Sequence, residues 1–148
     1  MYDLTIIIPT FKEEANIAAI IREVDTVFSK NAINGEILVV DDNSPDRTIP
    51  LVKELQRTKP NLSLVVRKND PGLSQSVVEG FRKARSDILL VIDADLSHPP
   101  SYIRRFFHYI LQSFTVTFTG LFIGISTSFQ IRARPASFNA YNNKLPHP

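Results

Sequence analysis

Residues 87–95 read Asp-Ile-Leu-Leu-Val-Ile-Asp-Ala-Asp, an apolar run closed by two acids one residue apart. A short branched apolar run between polar residues predicts a strand buried on both faces. Residues 36–42, Glu-Ile-Leu-Val-Val-Asp-Asp, repeat the pattern. Residues 4–9, Leu-Thr-Ile-Ile-Ile-Pro, give another such run, closed by Pro9. The predicted strands are Leu4–Ile8, Glu36–Val40, Leu62–Val66 and Asp87–Ile92. Helical spacing fills the intervals. Glu13–Phe28 places Ile17, Ile20, Ile21, Val24 and Phe28 on one side. A helix running to about Gln56 has Thr48 as its cap and tolerates Pro50 in its first turn. Leu73–Ala84 is a third helix. Pro99-Pro100 opens a fourth, Ser101–Leu111, with Ile103, Phe106, Phe107 and Ile110 on one face.

Repeated strand-helix alternation predicts an α/β domain with a parallel sheet and helices on both faces. Its crossovers are right-handed, and ligands bind at the carboxyl ends of its strands where strand order switches. The irregular segments Pro9–Glu14, Asp41–Asp46 and Asp93–Pro99 each follow a strand end. They are therefore expected along one edge.

Asp93 and Asp95 stand at i and i+2, so both can face one ion. Oxygen-only ligands suit Mg2+ or Mn2+, and Mg2+ is commonly held by one or two carboxylates plus substrate phosphates. An Asp-X-Asp in isolation is as easily a solvated turn; its position after a buried strand gives it weight. Either Asp41 or Asp42 can accept hydrogen bonds from a ribose or a base edge. A turn or capping role, helped by Asn43, Ser44 and Asp46, is the alternative. Lys12, Arg67 and Lys68 read as solvated charges. His98 reads as a polar residue ahead of Pro99-Pro100 rather than a metal ligand.

Other chemistries fit poorly. Glycine contributes 5 of 148 residues and neither nucleotide fingerprint occurs, which argues against P-loop and dinucleotide enzymes. A phosphoacceptor receiver would want acids after the first strand, where this chain has Pro9-Thr10-Phe11. No serine elbow is present. The net charge of +2 and the absence of a basic, aromatic-interleaved stripe predict no nucleic-acid partner. The lack of cysteine removes disulfides and thiolate sites and fits a reducing compartment. The N-terminus lacks a basic leader, so no signal peptide is expected.

Three blocks, TIIIPTFKEEANI, EILVVDDNSPDRT and NDPGLSQSVVEGFRKARSDILLVIDADLSHPP, together resemble family 2 glycosyltransferases, most of all the dolichyl-phosphate mannosyltransferase subgroup. The resemblance covers residues 3–105. It implies a GT-A fold, a Rossmann-like, mostly parallel sheet, here truncated after the Asp-X-Asp strand. It also implies that Pro9, Phe11 and Glu13 contact the nucleotide, that Val40 and Asp42 line base and ribose, and that Asp93, Ala94 and Asp95 form the metal and diphosphate motif. Asp95 is the catalytic residue by this carry-over, and Ser97 sits near the metal and donor. Gly72-Leu73 matches the family's Gly-Leu turn. Phe11-Lys12 replaces the usual Tyr-Asn, so a hydroxyl is lost while the ring can still stack. The implied reaction is metal-dependent, inverting transfer of a sugar, from GDP-mannose, to a polyprenyl phosphate. The implied partners are the nucleotide sugar, that acceptor and a membrane surface, with the protein in the cytoplasm or peripheral on the cytoplasmic face of the membrane. The alternatives are a UDP-sugar-dependent member of the family and a non-catalytic nucleotide-binding fragment.

After Arg105 the text changes. The first 105 residues hold 29 charged side chains, whereas residues 106–148 hold only Arg132, Arg134 and Lys144. Seven of the ten phenylalanines lie in that second part. The reading divides the chain into a nucleotide-sugar-binding half domain, 1–105, and an atypical, almost uncharged tail, 106–148. An out-of-frame end, a disordered tail and a membrane-associated segment over Phe106–Phe129 are its three readings. The family's Gly-Ser-Arg-Tyr block and later basic strands are not found there. The expectations are an open sheet edge, low solubility, weak nucleotide binding and poor transfer.

Overall fold

A computed structural model describes residues 1–96, 99–112, 123–124 and 129–133. Four strands, β1 (Leu4–Thr10), β2 (Gly35–Asp41), β3 (Leu62–Val66) and β4 (Ile88–Ile92), run parallel in the order β3-β2-β1-β4. Helices α1 (Ile17–Lys30), α2 (Thr48–Gln56) and α3 (Leu73–Lys83) alternate with them, and α4 (Tyr102–Gln112) follows. The chain moves from β1 to β2 to β3 on one side, then crosses back to place β4 on the other side of β1. The switch point therefore lies between β1 and β4, where the sequence reading required a site.

Alternation along the strands divides the core. Ile6, Ile8, Ile37, Val39, Leu90 and Ile92 pack with α1, Val52 of α2, and Ile103 and Phe107 of α4. Ile7, Leu38, Val40, Leu89 and Val91 pack with Val77 and Phe81 of α3 on the opposite face. Every residue of β1, β2 and β4 is buried. Continuous apolar runs were thus the right signal for strands covered on both sides.

The observed elements depart from the expected ones in three instructive places. Strand β1 runs on through Pro9 to Thr10 instead of stopping. Its ladder with β2 reaches Thr10–Asp41, but its ladder with β4 ends at Ile7–Val91. The Thr10 carbonyl bonds the Asp42 amide on the β2 side. By alternation Pro9 faces the β4 side, past the last pair, where its missing N–H breaks no bond. Helix α1 begins at Ile17, not Glu13, because residues 12–14 are held by another loop, as described below.

The third departure is at the far edge. Strand β6 (Phe129–Ala133) pairs antiparallel along the whole of β4, and β5 (Ile123–Gly124) pairs antiparallel with β6. The edge of β4 expected to be open is therefore covered. Phe129-Gln130-Ile131-Arg132 alternates apolar and polar, a strand signal overlooked in a segment read only for its composition. The Phe106–Phe129 segment lies largely outside the described residues. Among the described residues, no helix is long and apolar enough to cross a membrane.

Polar groups stitch the amino-terminal edge. Glu36, 1% exposed, accepts hydrogen bonds from Thr5 Oγ1 (2.9 Å), the Arg85 amide (2.9 Å), Arg85 Nε (2.7 Å) and Ser63 Oγ (3.2 Å). Ser86 Oγ lies 2.8 Å from Thr5 Oγ1 and 2.7 Å from the Ile88 carbonyl. The network thereby joins β1, β2, β3 and the entrance to β4. The hydrogen bond and the charge of Glu36 raise the Arg85 guanidinium above its ordinary value against the opposing effect of burial.

Helix α3 sits close on β1. A Cβ at Gly80 would meet Ile7 Cγ2 at 2.5 Å. Alanine would gain up to about 1 kcal/mol of helix propensity, but overpacking against a fully buried central strand costs about 1–3 kcal/mol. Gly80→Ala is therefore expected to lower the denaturation midpoint at unchanged m-value. A variant as stable as the parent, or more so, would show that α3 can lift without loss.

Candidate functional site

The neighbouring acids Asp41 and Asp42 lie on opposite faces of the sheet, because successive strand residues alternate. Asp41 belongs to the α1 and α2 side. It is wholly buried and accepts from Thr10 Oγ1 (2.7 Å), the Ser44 amide (2.7 Å) and Ser44 Oγ (2.7 Å). Its carboxylate closes the turn after β2 and ties that turn to the end of β1. Of the two roles open for Asp41, the turn role is the one its bonds fill.

The same turn reaches over to the loop after β1. The amide of Lys12 donates to Ser44 Oγ (2.9 Å), that of Glu13 to Thr48 Oγ1 (2.9 Å) and that of Glu14 to Asp46 Oδ2 (3.3 Å). Glu14 returns a contact by accepting from the Arg47 amide (2.9 Å). These consecutive N–H groups stand where a dinucleotide fold would offer amides to a pyrophosphate. Here they are already satisfied within the protein. Helix α1 consequently starts later, with Ile17 N bonded to the Glu13 carbonyl at 2.9 Å.

Asp42 points to the α3 side. It forms an ion pair with Arg67 and accepts from Ser76 Oγ (2.7 Å) and the Gly72 amide (2.7 Å). Arg67 NH1 also reaches Ser76 Oγ (2.9 Å), and NH2 donates to the Asp70 carbonyl (2.6 Å). The Arg67 side chain is only 11% exposed and that of Asp42 8%. Arg67 is thus no solvated charge, as its sequence context suggested. Gly72 opens α3 with φ +149°, a conformation that side chains rarely adopt, and this turns its amide onto Asp42.

The remaining expected residues sort by burial. Pro9 and Val40 are buried, Val40 within the core beneath α3. Phe11 is 54% exposed, with the Lys12 ammonium 5.2 Å from its ring centroid. Glu13 is half-buried and accepts from Asn16 Nδ2 (3.0 Å). Asp93 is half-buried, Ala94 buried and Asp95 exposed. Continuing the Ile7–Val91 register brings Pro9 level with Asp93, and Pro9 is itself opposite Val40. Ser97 and His98 lie outside the described residues.

Lys12, Asn43 and Leu96 all have positive φ (60°, 56° and 61°). One therefore lies in each of the loops after β1, β2 and β4. Such non-glycine residues cost of order 1 kcal/mol and persist only where their surroundings hold them. Asp93 and Asp95 offer oxygen donors alone, and among the described residues no larger group of His, Cys, Asp or Glu could hold a metal ion. A pair of this kind fits Mg2+ or Mn2+ whose other ligands are phosphate oxygens and water.

The family model described as glycosyl transferase family 2 matches residues 5–147. Curated relatives include dolichol-phosphate mannosyltransferases of Mycosarcoma maydis, 38% identical over 103 residues, and Pyrococcus furiosus, 39% identical over 102 residues. These alignments cover 67% and 69% of this chain but only 35% and 28% of those proteins, so the chain spans about a third of their length. Among solved structures, the mannosyltransferase PcManGT from Pyrobaculum calidifontis, in complex with GDP-Man and Mn2+, is 27% identical with a TM-score of 0.54. That superposition covers 69% of this chain and 32% of the other. S. aureus TarS 1–349 in complex with UDP-GlcNAc, 24% identical with a TM-score of 0.60 over 73% of this chain and 31% of its own, shares the fold.

Asp46 gives the loop latch a measurable signature. Burial would raise its carboxyl, but hydrogen bonds from the Thr48 hydroxyl and from the Thr48 and Glu14 amides outweigh this and hold it below 3.8. A depressed folded value means that the stabilisation is fully present above the unfolded value and is lost as pH falls through the folded one. Asp46→Ala is expected to lose about 1 kcal/mol at pH 7, the usual net effect of removing a partly exposed hydrogen-bond acceptor. The gap to the parent should narrow as pH falls below the ordinary carboxylate range and through the depressed folded value. Denaturation at pH 7 and pH 3 checks this; a gap of the same size at both would remove the carboxylate from the account.

Proposed function

We propose, for a chain that belongs to glycosyl transferase family 2, that the carboxyl edge of its sheet binds GDP-mannose for inverting mannosyl transfer to a polyprenyl phosphate such as dolichyl phosphate. The observation that carries this reading is how the edge divides its polar groups. The amides after β1 are consumed by the loop after β2, while a carboxylate pair stands at the switch point. Among the described residues, the loop after β1 offers no backbone cradle for a bare diphosphate, and the edge suits a diphosphate that arrives with a divalent cation. The names of the similar mannosyltransferases, one in complex with GDP-Man and Mn2+, support the donor and the metal.

When bound, a divalent cation on Asp93 and Asp95 supplies neutralisation of the charge that develops on the departing diphosphate. The protein's own residues position. Thr10, Asp41 and Ser44 fix the loops between which the nucleotide lies, and the β1–β4 ladder ends short of Pro9, so that the crevice opens there. Phe11 offers an exposed ring for stacking, and Asp42 an oriented acceptor for a ribose or base donor. An acceptor phosphate oxygen bonds to the anomeric carbon as the bond from that carbon to the diphosphate oxygen breaks, with inversion. Because a phosphate monoester has its second pKa near about 6, the acceptor is already anionic at neutral pH and needs no strong base. A polyprenyl acceptor would place the protein at the cytoplasmic face of a membrane.

Calorimetric titration tests the reading. GDP-mannose should bind in Mn2+, with EDTA, Asp93→Asn or Asp95→Asn each weakening it roughly tenfold or more, a loss of about 1.4 kcal/mol or more. UDP-glucose should bind less well. Equal affinity in EDTA and in both variants would sink the metal-dependent reading. Binding without mannosyl transfer to dolichyl phosphate would limit this chain to donor binding.

A further inference from the structure

We infer that Arg67 and Ser76 are positioning residues for the nucleotide, acting through Asp42. The inference rests on the reading that this edge binds a nucleotide, and it goes further by naming what sets the geometry of one contact. Asp42 Oδ1 receives both the Arg67 guanidinium and the Ser76 hydroxyl, and Oδ2 receives the Gly72 amide. A carboxylate has about four acceptor positions. Within these bonds, one position on Oδ2 remains for a donor from outside. The oxygen that would take that donor is oriented by the three bonds that the protein already makes.

Arg67 is well built for this task. Its backbone amide donates to the Asp41 carbonyl at 2.8 Å, so the residue is anchored in the strand register beside the acid it pairs with. One end of its fork meets Asp42 and Ser76, and the other meets the Asp70 carbonyl in the turn before α3. Asp70 itself adopts φ 53°. The guanidinium therefore links the end of β2, the turn after β3 and the first turn of α3. Lysine, a single point donor, cannot span these positions at once.

The experiment is a double-mutant cycle read on GDP affinity in Mn2+ with the full chain. Arg67→Gln and Asp42→Asn are each expected to weaken GDP roughly tenfold, the loss of a charge-assisted hydrogen bond. The double variant should bind no worse than Asp42→Asn within about twofold, because removing the positioner is without effect once its target is altered. Multiplying losses, to about a hundredfold, would overturn the inference, since a merely structural Arg67 weakens binding whichever residue stands at 42. Arg67→Gln binding as tightly as the parent would also overturn it. Circular dichroism at the titration temperature follows folding. If Arg67→Gln is not folded, Ser76→Ala replaces it in the same cycle, as it keeps the ion pair. A weakening that vanishes in the Asp42→Asn background supports the inference, and one that persists, or none at all, overturns it. Failure of the parent chain to bind either GDP or UDP would overturn the functional reading and this inference together, whereas multiplying losses in a parent that binds would overturn this inference alone.

Discussion

Thr10 and Asp41 meet at 2.7 Å as two buried side chains at the ends of adjacent parallel strands, and Ser44 donates twice to the same carboxylate. A buried carboxylate is tolerable only when its lone pairs are taken, and removing one donor leaves a desolvated charge without compensation. The turn after β2 is held in place by this demand. Once held, it presents Ser44, Asp46 and Thr48 to the amides of residues 12–14. The start of α1 and the path of the β1 loop both descend from that carboxylate. So does the chemical character of the edge, since amides bonded internally are no longer offered to phosphate.

The two edges of the sheet solve the same problem to different ends. At the amino-terminal edge, Glu36 is surrounded by Thr5, Ser63 and Arg85, and strands β1 to β3 close on it with the segment leading into β4. Among the described residues, the backbone of that region has no positive-φ residue except Ala32. At the carboxyl edge, the loops after all four parallel strands turn through a left-handed residue (Lys12, Asn43, Asp70 and Leu96), and the carboxylates sit at graded exposure from Asp41 through Asp93 to Asp95. A sheet that satisfies its polar groups tightly at one end can support strained, partly solvated loops at the other. The difference is built by position along the strand, not by residue type, since both edges use acids, hydroxyls and an arginine.

Much of this was legible in the sequence for a simple reason. Strands buried on both faces are continuous apolar runs, and β4, Ile88–Ile92, falls within the expected Asp87–Ile92. Helix faces were legible from period alone, as with Ile17, Ile20, Ile21, Val24 and Phe28. The strand ends that gather at one edge follow from topology. What could not be read was how each polar residue spends its bonds. Glu13 has helical spacing ahead of it, yet the Thr48 hydroxyl, 35 positions away, takes its amide. Strand β6 was hidden because its five residues sit in a stretch whose composition drew attention away from their alternation.

Asp41-Asp42 shows where such reading stops and what resolves it. As letters the two acids are equivalent, and either could serve a turn or a ligand. Strand alternation alone separates them: one must lie with α1 and α2, the other with α3. The α1 side offers Thr10 and Ser44, short donors that enclose a carboxylate completely. The α3 side offers a glycine amide, a serine and an arginine from the far end of β3, which hold the carboxylate from one flank. A single-residue slip in register would exchange these surroundings and with them the two roles. The pairing of Thr10 with Asp41 in the β1–β2 ladder excludes that slip, so the assignment of an enclosed acid and an oriented one is a consequence of register.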